Sequence, residues 1–284
     1  MTSDDRLSYR RRKIGQALRR YREERNLTQD AAARLVERSP ASLSAYENGH
    51  RAVRPRDLRQ ILDHYGVTDD RERKRLLDLA AQGRKKGWWR DFMSYEDPFI
   101  VDFASLEAEA SRARSFEAVA VPGLLQTEAY TRAVFAAYEP VRVRPRDQNA
   151  IAFRMARQRI LEVPSFQAAW IIGESALRLK VGGREVMRAQ CRRLIQVTEQ
   201  GHLDLRVVPD SAGAHPGMSG SFTILDVGAE DPMKVVAVDS LTRSWLIDEL
   251  PSVEYYERVY AELRSLALPK SQSRALIETV ASEL

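Results

Sequence analysis

Two helix start signals set close together near the N-terminus constrain the fold more than any other feature: Thr28 followed by Gln29 and Asp30, then Ser39 followed by Pro40. A hydroxyl just before a helix can accept from the unpaired amides of the first turn. An acidic residue suits the positive helix end, and proline at the first helical position gives up an amide that has no partner there. The spacing therefore predicts one helix through Val36, a short turn over Glu37 and Arg38, and a second helix from Pro40 to about Glu47. Helices joined so tightly must approach closely, and Ala31, Ala32 and Ala33 are small enough to allow it.

The flanking sequence fits the same compact unit. Between Lys13 and Arg25, Ile14, Ala17, Leu18 and Tyr21 recur at helical spacing, and the pattern stops at Asn26, which tolerates the left-handed conformation of a helix end. In the helix from Pro40, Leu43 and Tyr46 share the inward face and leave Ala41, Ser42, Ser44 and Ala45 more exposed. Asn48 and Gly49 close it, and His50, Arg51, Arg54 and Arg56 follow in a loop. Residues 55–65 and 70–82 supply two more amphipathic helices, so residues 1–82 read as an all-α domain of five helices.

The run LTQDAAARL, a three-residue turn, then SPASLSAYENG resembles the Cro/cI-type, or xenobiotic-response-element, helix-turn-helix family. The resemblance implies that the third helix enters the major groove of double-stranded DNA, while the start of the second helix and the turn after the third touch phosphates. On that basis Gln29 and Asn48 are expected at the phosphates; Arg51 is expected there too, Ser39 and Arg54 are expected among the DNA-binding residues, and Ala41, Ser42, Ser44 and Ala45 on the groove face. Arg22 and Glu47 match a pair that orients the recognition helix. The chain departs from the family at Glu37, a position usually held by glycine, and at Arg38, read either as an added backbone contact or as a solvated turn residue. Pro40, Ala41 and Ala45 stand where base-reading amides are usual, so direct readout should be sparse, with alanines against thymine methyls and the rest left to DNA shape.

Charge is divided unevenly. Up to residue 94 there are 23 Lys and Arg against 14 Asp and Glu; beyond it there are 22 against 26. A basic N-terminal block suits a phosphate-binding module. The run Arg10 to Lys13 reads as an arm reaching phosphates, with a solvated helix start as the alternative. No window approaches the roughly 18 apolar residues of a membrane span, and the N-terminus lacks a signal-like apolar stretch, so the expected location is the cytoplasm without membrane contact.

Residues 83–94 read as a linker. Trp88 and Trp89 are expected to form a clasp between domains, since each can bury about 150–250 Å². Residues 95–284 read as an α+β domain with a central sheet. Helical patterns lie at 99–113, 126–137, 145–162, 184–200 and 252–267, with a further amphipathic tail, and FQAAWIIG, LDLRVVP, SFTILDV and MKVVAVD read as strands.

The phrases at 106–134 and 207–227 resemble actinobacterial regulators in which a Cro/cI-type domain is fused to a C-terminal domain of unknown function, the WhiJ-like, antitoxin-like proteins. This resemblance implies a small protein partner encoded nearby; the expected function is a regulator, in the repressor sense, whose second domain senses that partner or, on a separate reading, an unidentified ligand. It equally admits an interaction protein that sequesters the partner and autoregulates its operon. A homodimer on a palindrome is expected because one recognition helix covers a half-site. Its surface is placed in the C-terminal domain, where helix 252–267 is either that surface or core.

Enzyme chemistry finds little support. Cys191 stands alone and reads as a buried small hydrophobe. His202, His215, Asp204, Asp210, Ser211 and Glu174 fall into no nucleophile elbow, zinc pair or glycine-rich phosphate loop, so no catalytic residue, metal or cofactor is expected. His215, in SAGAHPG between two strands, reads as an exposed connection or a ligand lid.

Overall fold

The computed structural model describes residues 8–83, 87–94, 96–138, 148–228 and 232–284. The chain divides into two compact units, Met1–Asp102 and Phe103–Leu284.

The first unit contains five helices: α1 (Tyr9–Glu24), α2 (Gln29–Leu35), α3 (Pro40–Glu47), α4 (Pro55–His64) and α5 (Asp70–Gln82). Thr28 Oγ1 accepts from Ala31 N, Ser39 Oγ from Ser42 N, and Asp69 from Arg71 and Glu72 N, so three helices open on side-chain caps. Leu18, Ala32, Ala33, Leu43, Leu58, Leu62 and Tyr65 form a fully buried core. Asn26 has φ +52°, the left-handed end expected there, and Glu37 has φ +55°, the conformation for which glycine is usual at that turn. α1 begins earlier than its hydrophobic pattern. Tyr9 N donates to Asp102, Arg10 is buried and Lys13 lies over the Tyr9 ring, so the basic run is partly built into the unit. Trp88–Phe92 forms a 3-10 turn in which Trp88 stacks edge-on against Trp89 and Phe92, and neither tryptophan is fully buried. The lysines of the expected linker lie outside the described residues.

Helix α6 (Pro98–Glu107) crosses the boundary between the units. The second unit is built on a six-stranded mixed sheet of order β3-β2-β1-β4-β5-β6, made of β1 (Ala110–Glu117), β2 (Gln167–Gly173), β3 (Leu203–Val208), β4 (Phe222–Val227), β5 (Met233–Asp239) and β6 (Ser244–Ile247). β1, β2 and β3 run parallel, joined by α7 (Glu128–Tyr138) and α8 (Gln148–Arg157), then by α9 (Ser175–Arg178) and α10 (Arg184–Thr198). β4, β5 and β6 form an antiparallel meander on the other side of β1. α11 (Leu250–Leu266) lays Val253, Tyr260 and Leu263 on Phe116, Ile171, Ile224 and Val236, and α12 (Lys270–Glu283) packs on α10 and β3. An all-α unit followed by an α+β unit with a central sheet is the fold class read from the sequence.

Three details differ from that reading. The helix expected over 99–113 ends at Glu107, and 110–117 is the central strand. Its Arg114 disguised it, because a charge in a buried strand needs partners that the local sequence does not show. They are Asp226 at 2.9 Å and Glu257 at 3.0 Å. The helix expected over 145–162 is α8 followed by a 3-10 turn to Glu162, with 145–147 outside the described residues. The short strand β6 was not foreseen. α11 is core along the face that was weighed as a dimer surface.

Candidate nucleic-acid interface

α3 is held from beneath. Arg22 of α1 donates to both carboxylate oxygens of Glu47, Nε at 2.7 Å and Nη2 at 3.0 Å, and its Nη1 donates to Leu27 O at 3.0 Å. This two-pronged pairing, on a Glu47 side chain only 2% exposed, ties the end of α3 to the turn that opens α2. Hydrogen bonding to Glu47 also raises the guanidinium pKa. Gln29 Nε2 reaches the same carboxylate at 3.3 Å, so the expected phosphate contact is also a second brace. Burial pushes the Tyr65 phenol up to about 12, and the Glu47 charge adds to the effect.

Gly15 is the member of this support that sequence reasoning missed. A Cβ there would lie 2.4 Å from Glu47 O and 2.6 Å from Tyr46 O, so α1 touches the last turn of α3 backbone to backbone. The signal was present as a glycine inside an otherwise helical pattern.

On the outer side of α3, Ala41, Ser44, Ala45 and Asn48 follow the three- and four-residue spacing of one helix face. Ala41 and Asn48 are exposed; Ser42, Ser44 and Ala45 are half-buried. Ser39 Oγ donates to Ser42 Oγ at 2.9 Å, and Asn48 Nδ2 donates to Ser44 Oγ at 3.3 Å. Arg51 and Arg54 are exposed in the following loop, with Arg51 over the Tyr46 ring. Arg38 is held differently: it donates to Glu37 O and to Asp57 of α4 at 3.1 Å, bracing the turn. The structure thus brings Ala41, Ser42, Ser44, Ala45 and Asn48 together on α3, with Ser39 at its start and Arg51 and Arg54 after it. Trp88 and Trp89 stand apart on their own turn.

Glu174, Asp204 and His202 are engaged in holding the second unit together, while Ser211 is exposed and His215 Nδ1 is buried without a hydrogen-bond partner among the described residues. Glu174 accepts from Asp210 N at 3.0 Å and pairs with Arg178 at 2.6 Å; Asp204 pairs with Arg206 and Arg264. His202 Nε2 lies 3.1 Å from Leu161 O, and His215 sits edge-on to Phe116. Cys191 is fully buried, and burial pushes its thiol up to about 11. Glu117, at the end of β1, is pushed up to about 7 by burial, against the opposing effects of the Ser221 hydroxyl and Arg154. Among the described residues no group of three His, Cys, Asp or Glu could hold a metal ion, and no helix is long and apolar enough to cross a membrane.

A capped helix pair on a tight turn, its second member braced from below and open on its outer face, defines a helix-turn-helix DNA-binding regulator. In agreement, a helix-turn-helix domain model matches residues 13–76. The model of a domain of unknown function, DUF5753, matches residues 100–279, and the chain belongs to that family. No curated protein and no solved structure matches the chain.

Proposed function

We propose that the chain is a Cro/cI-type, WhiJ-like transcription regulator that represses from a palindromic operator as a dimer. α3 lies in the major groove; Ser39, Asn48, Arg51 and Arg54 meet phosphates, and Gln29 and Arg38 brace the motif while standing close enough to add contacts. The observation that carries the reading is the two-pronged Arg22–Glu47 pair beneath α3. Such a pair fixes the angle of a helix whose outer face is left open, the requirement for reading a groove in one register. The second unit binds the regulating signal, a small protein partner or a ligand. For a small ligand the reading points to the open surface cleft lined by Gln158, Arg159, Arg193, Gln200 and His202.

The test is genome-wide occupancy of the native protein beside an Arg51→Ala variant, with the salt dependence of binding measured on any recovered site. Sharp peaks over an inverted repeat are expected. Arg51→Ala should weaken binding to all sequences alike and flatten the salt slope by roughly 0.9, the amount for one phosphate. Dispersed occupancy without a repeat, or an unchanged slope, refutes the operator reading or the Arg51 contact respectively.

A further inference from the structure

The sheet of the second unit is covered at one edge, and at the other no cover is found among the described residues. At β3, Val207 O accepts from Leu268 N at 2.8 Å, Val207 N donates to Ser273 Oγ at 3.1 Å, and Lys270 Nζ reaches Leu203 O at 2.9 Å. The connection from α11 to α12 thus occupies the outer side of that strand. At the opposite end β6 pairs with β5 alone among the described residues.

The direction of the backbone groups in β6 follows from the hairpin. Ser240 N donates to Arg243 O at 2.9 Å, which makes the opposed residues Asp239 and Ser244 a pair that exchanges no hydrogen bonds of its own. The pattern alternates along an antiparallel ladder, so Trp245 and Ile247 bond inward to β5 while Ser244 and Leu246 turn their N–H and C=O groups away from the sheet. An edge of this kind is a template for another strand, and proteins usually blunt it with lysine, proline, a bulge or a cover. Beside the charged residues Arg243, Asp248 and Glu249, three large apolar side chains are exposed here. Leu241 in the hairpin is 91% exposed, Leu250 just past the strand 68%, and Trp245 itself 40%.

We propose that β6 pairs antiparallel with β6 of a second copy of this chain, about a two-fold axis at Trp245, joining two sheets into one. The edge is self-complementary. Ser244 and Leu246 flank Trp245, so the rotation sets Ser244 of one copy opposite Leu246 of the other and matches every outward N–H with a C=O. Trp245 meets Trp245 in the close, non-hydrogen-bonded position where cross-strand aromatic pairs contribute most. This inference rests on the dimeric reading above and gives that dimer a surface.

Leu246→Pro tests it in the full chain, because the lost N–H points outward and takes no bond from β5. Leu246→Ile, which keeps the N–H, is the control. Sedimentation equilibrium should show dimers for the wild type and Leu246→Ile, and a dissociation constant raised at least tenfold for Leu246→Pro. In addition, Trp245→Cys should form a disulfide-linked dimer under mild oxidation, whether or not the proline variant folds. A folded Leu246→Pro that dimerises like the wild type, or a Trp245→Cys that stays monomeric on a non-reducing gel, overturns the β6 interface while leaving a dimer built elsewhere. A wild type that sediments as a monomer and occupies a single half-site overturns the dimer itself. A wild type that is monomeric alone but takes up a different protein through Trp245 overturns self-pairing in favour of a partner strand.

Discussion

Replacing Gly15 by alanine isolates how α3 is positioned. The new Cβ would stand 2.4 Å from Glu47 O and 2.6 Å from Tyr46 O, whereas a carbon ordinarily approaches a carbonyl oxygen no closer than about 3.3 Å. Neither oxygen can swing aside, since both belong to the last turn of a helix whose Glu47 side chain is locked onto Arg22. α1 and α3 must then part by about 1 Å to restore that distance. In an unconstrained helix interior the same substitution stabilises by about 1 kcal/mol, while overpacking a filled contact costs about 1–3 kcal/mol. The sign of the change therefore decides between the two effects. Because two fixed backbone oxygens are met at once, the cost falls in the upper part of that range, about 2–3 kcal/mol, and hydrogen exchange of the α1 and α3 amides, read by mass spectrometry on the full chain, should show a net loss of about 1–2 kcal/mol, or roughly 5- to 30-fold weaker protection. DNA affinity should fall further than this loss explains, because the displacement moves α3 off its register. Gly15→Ala with protection equal to or above wild type would refute the backbone contact.

Glu37→Gly should stabilise the first unit by about 1 kcal/mol, because a left-handed φ costs a non-glycine residue about that much or more; thermal unfolding that shifts downward would show the turn to be unstrained. Glu117 makes the second unit pH-sensitive. Its folded pKa, near 7, lies above the ordinary carboxylate range, so its contribution is fully present in acid and is lost as pH rises through 7. The slope should be at most about 1.4 kcal/mol per pH unit, absent in Glu117→Gln, and a second unit equally stable at pH 5 and pH 8 would contradict the assignment. Ser42→Ala should cut discrimination at one base position by about 0.5–1.5 kcal/mol in a binding-site selection, and relative affinities that stay fixed across site variants would remove Ser42 from the reading face.

What could be read from the sequence was local in its physics. A cap is decided by a hydroxyl and the next few amides, so Thr28 and Ser39 announced α2 and α3, and Asn26 announced the end of α1. β2 and β4 were visible as apolar runs because both faces are largely covered, while β3 showed as an alternating run with one face buried and β5 through its β-branched residues around the buried Val235 and Val236. β1 was not, since Arg112 and Arg114 interrupt its pattern and the acids that compensate Arg114 lie more than a hundred residues away at Asp226 and Glu257. Gly15 was overlooked for the same reason: its meaning resides in the carbonyls of another helix. On α3 the choice of residues was legible but their commitments were not. The Asp57 partner of Arg38 and the Glu47 partner of Gln29 appear only when the helices are brought together.

Those commitments bear on how such a helix would choose its site. A serine hydroxyl has one proton and two acceptor positions. Ser42 shares a hydrogen bond with the Ser39 hydroxyl and Ser44 accepts from the Asn48 amide, so each keeps an acceptor position for DNA and Ser44 keeps its proton as well. Each serine can therefore accept from the amino group of cytosine or adenine, and Ser44 can also donate to N7 and O6 of guanine, N7 of adenine or O4 of thymine. Two hydroxyls and two alanine methyls carry little sequence information beside the paired contacts of an arginine or glutamine. Most of the discrimination then falls to the deformability of the site and, in the proposed dimer, to the distance between its two half-sites. A weak reader of bases gains specificity from a second copy because two half-sites must then match at once, so the proposed dimer bears on the same specificity problem as the serines.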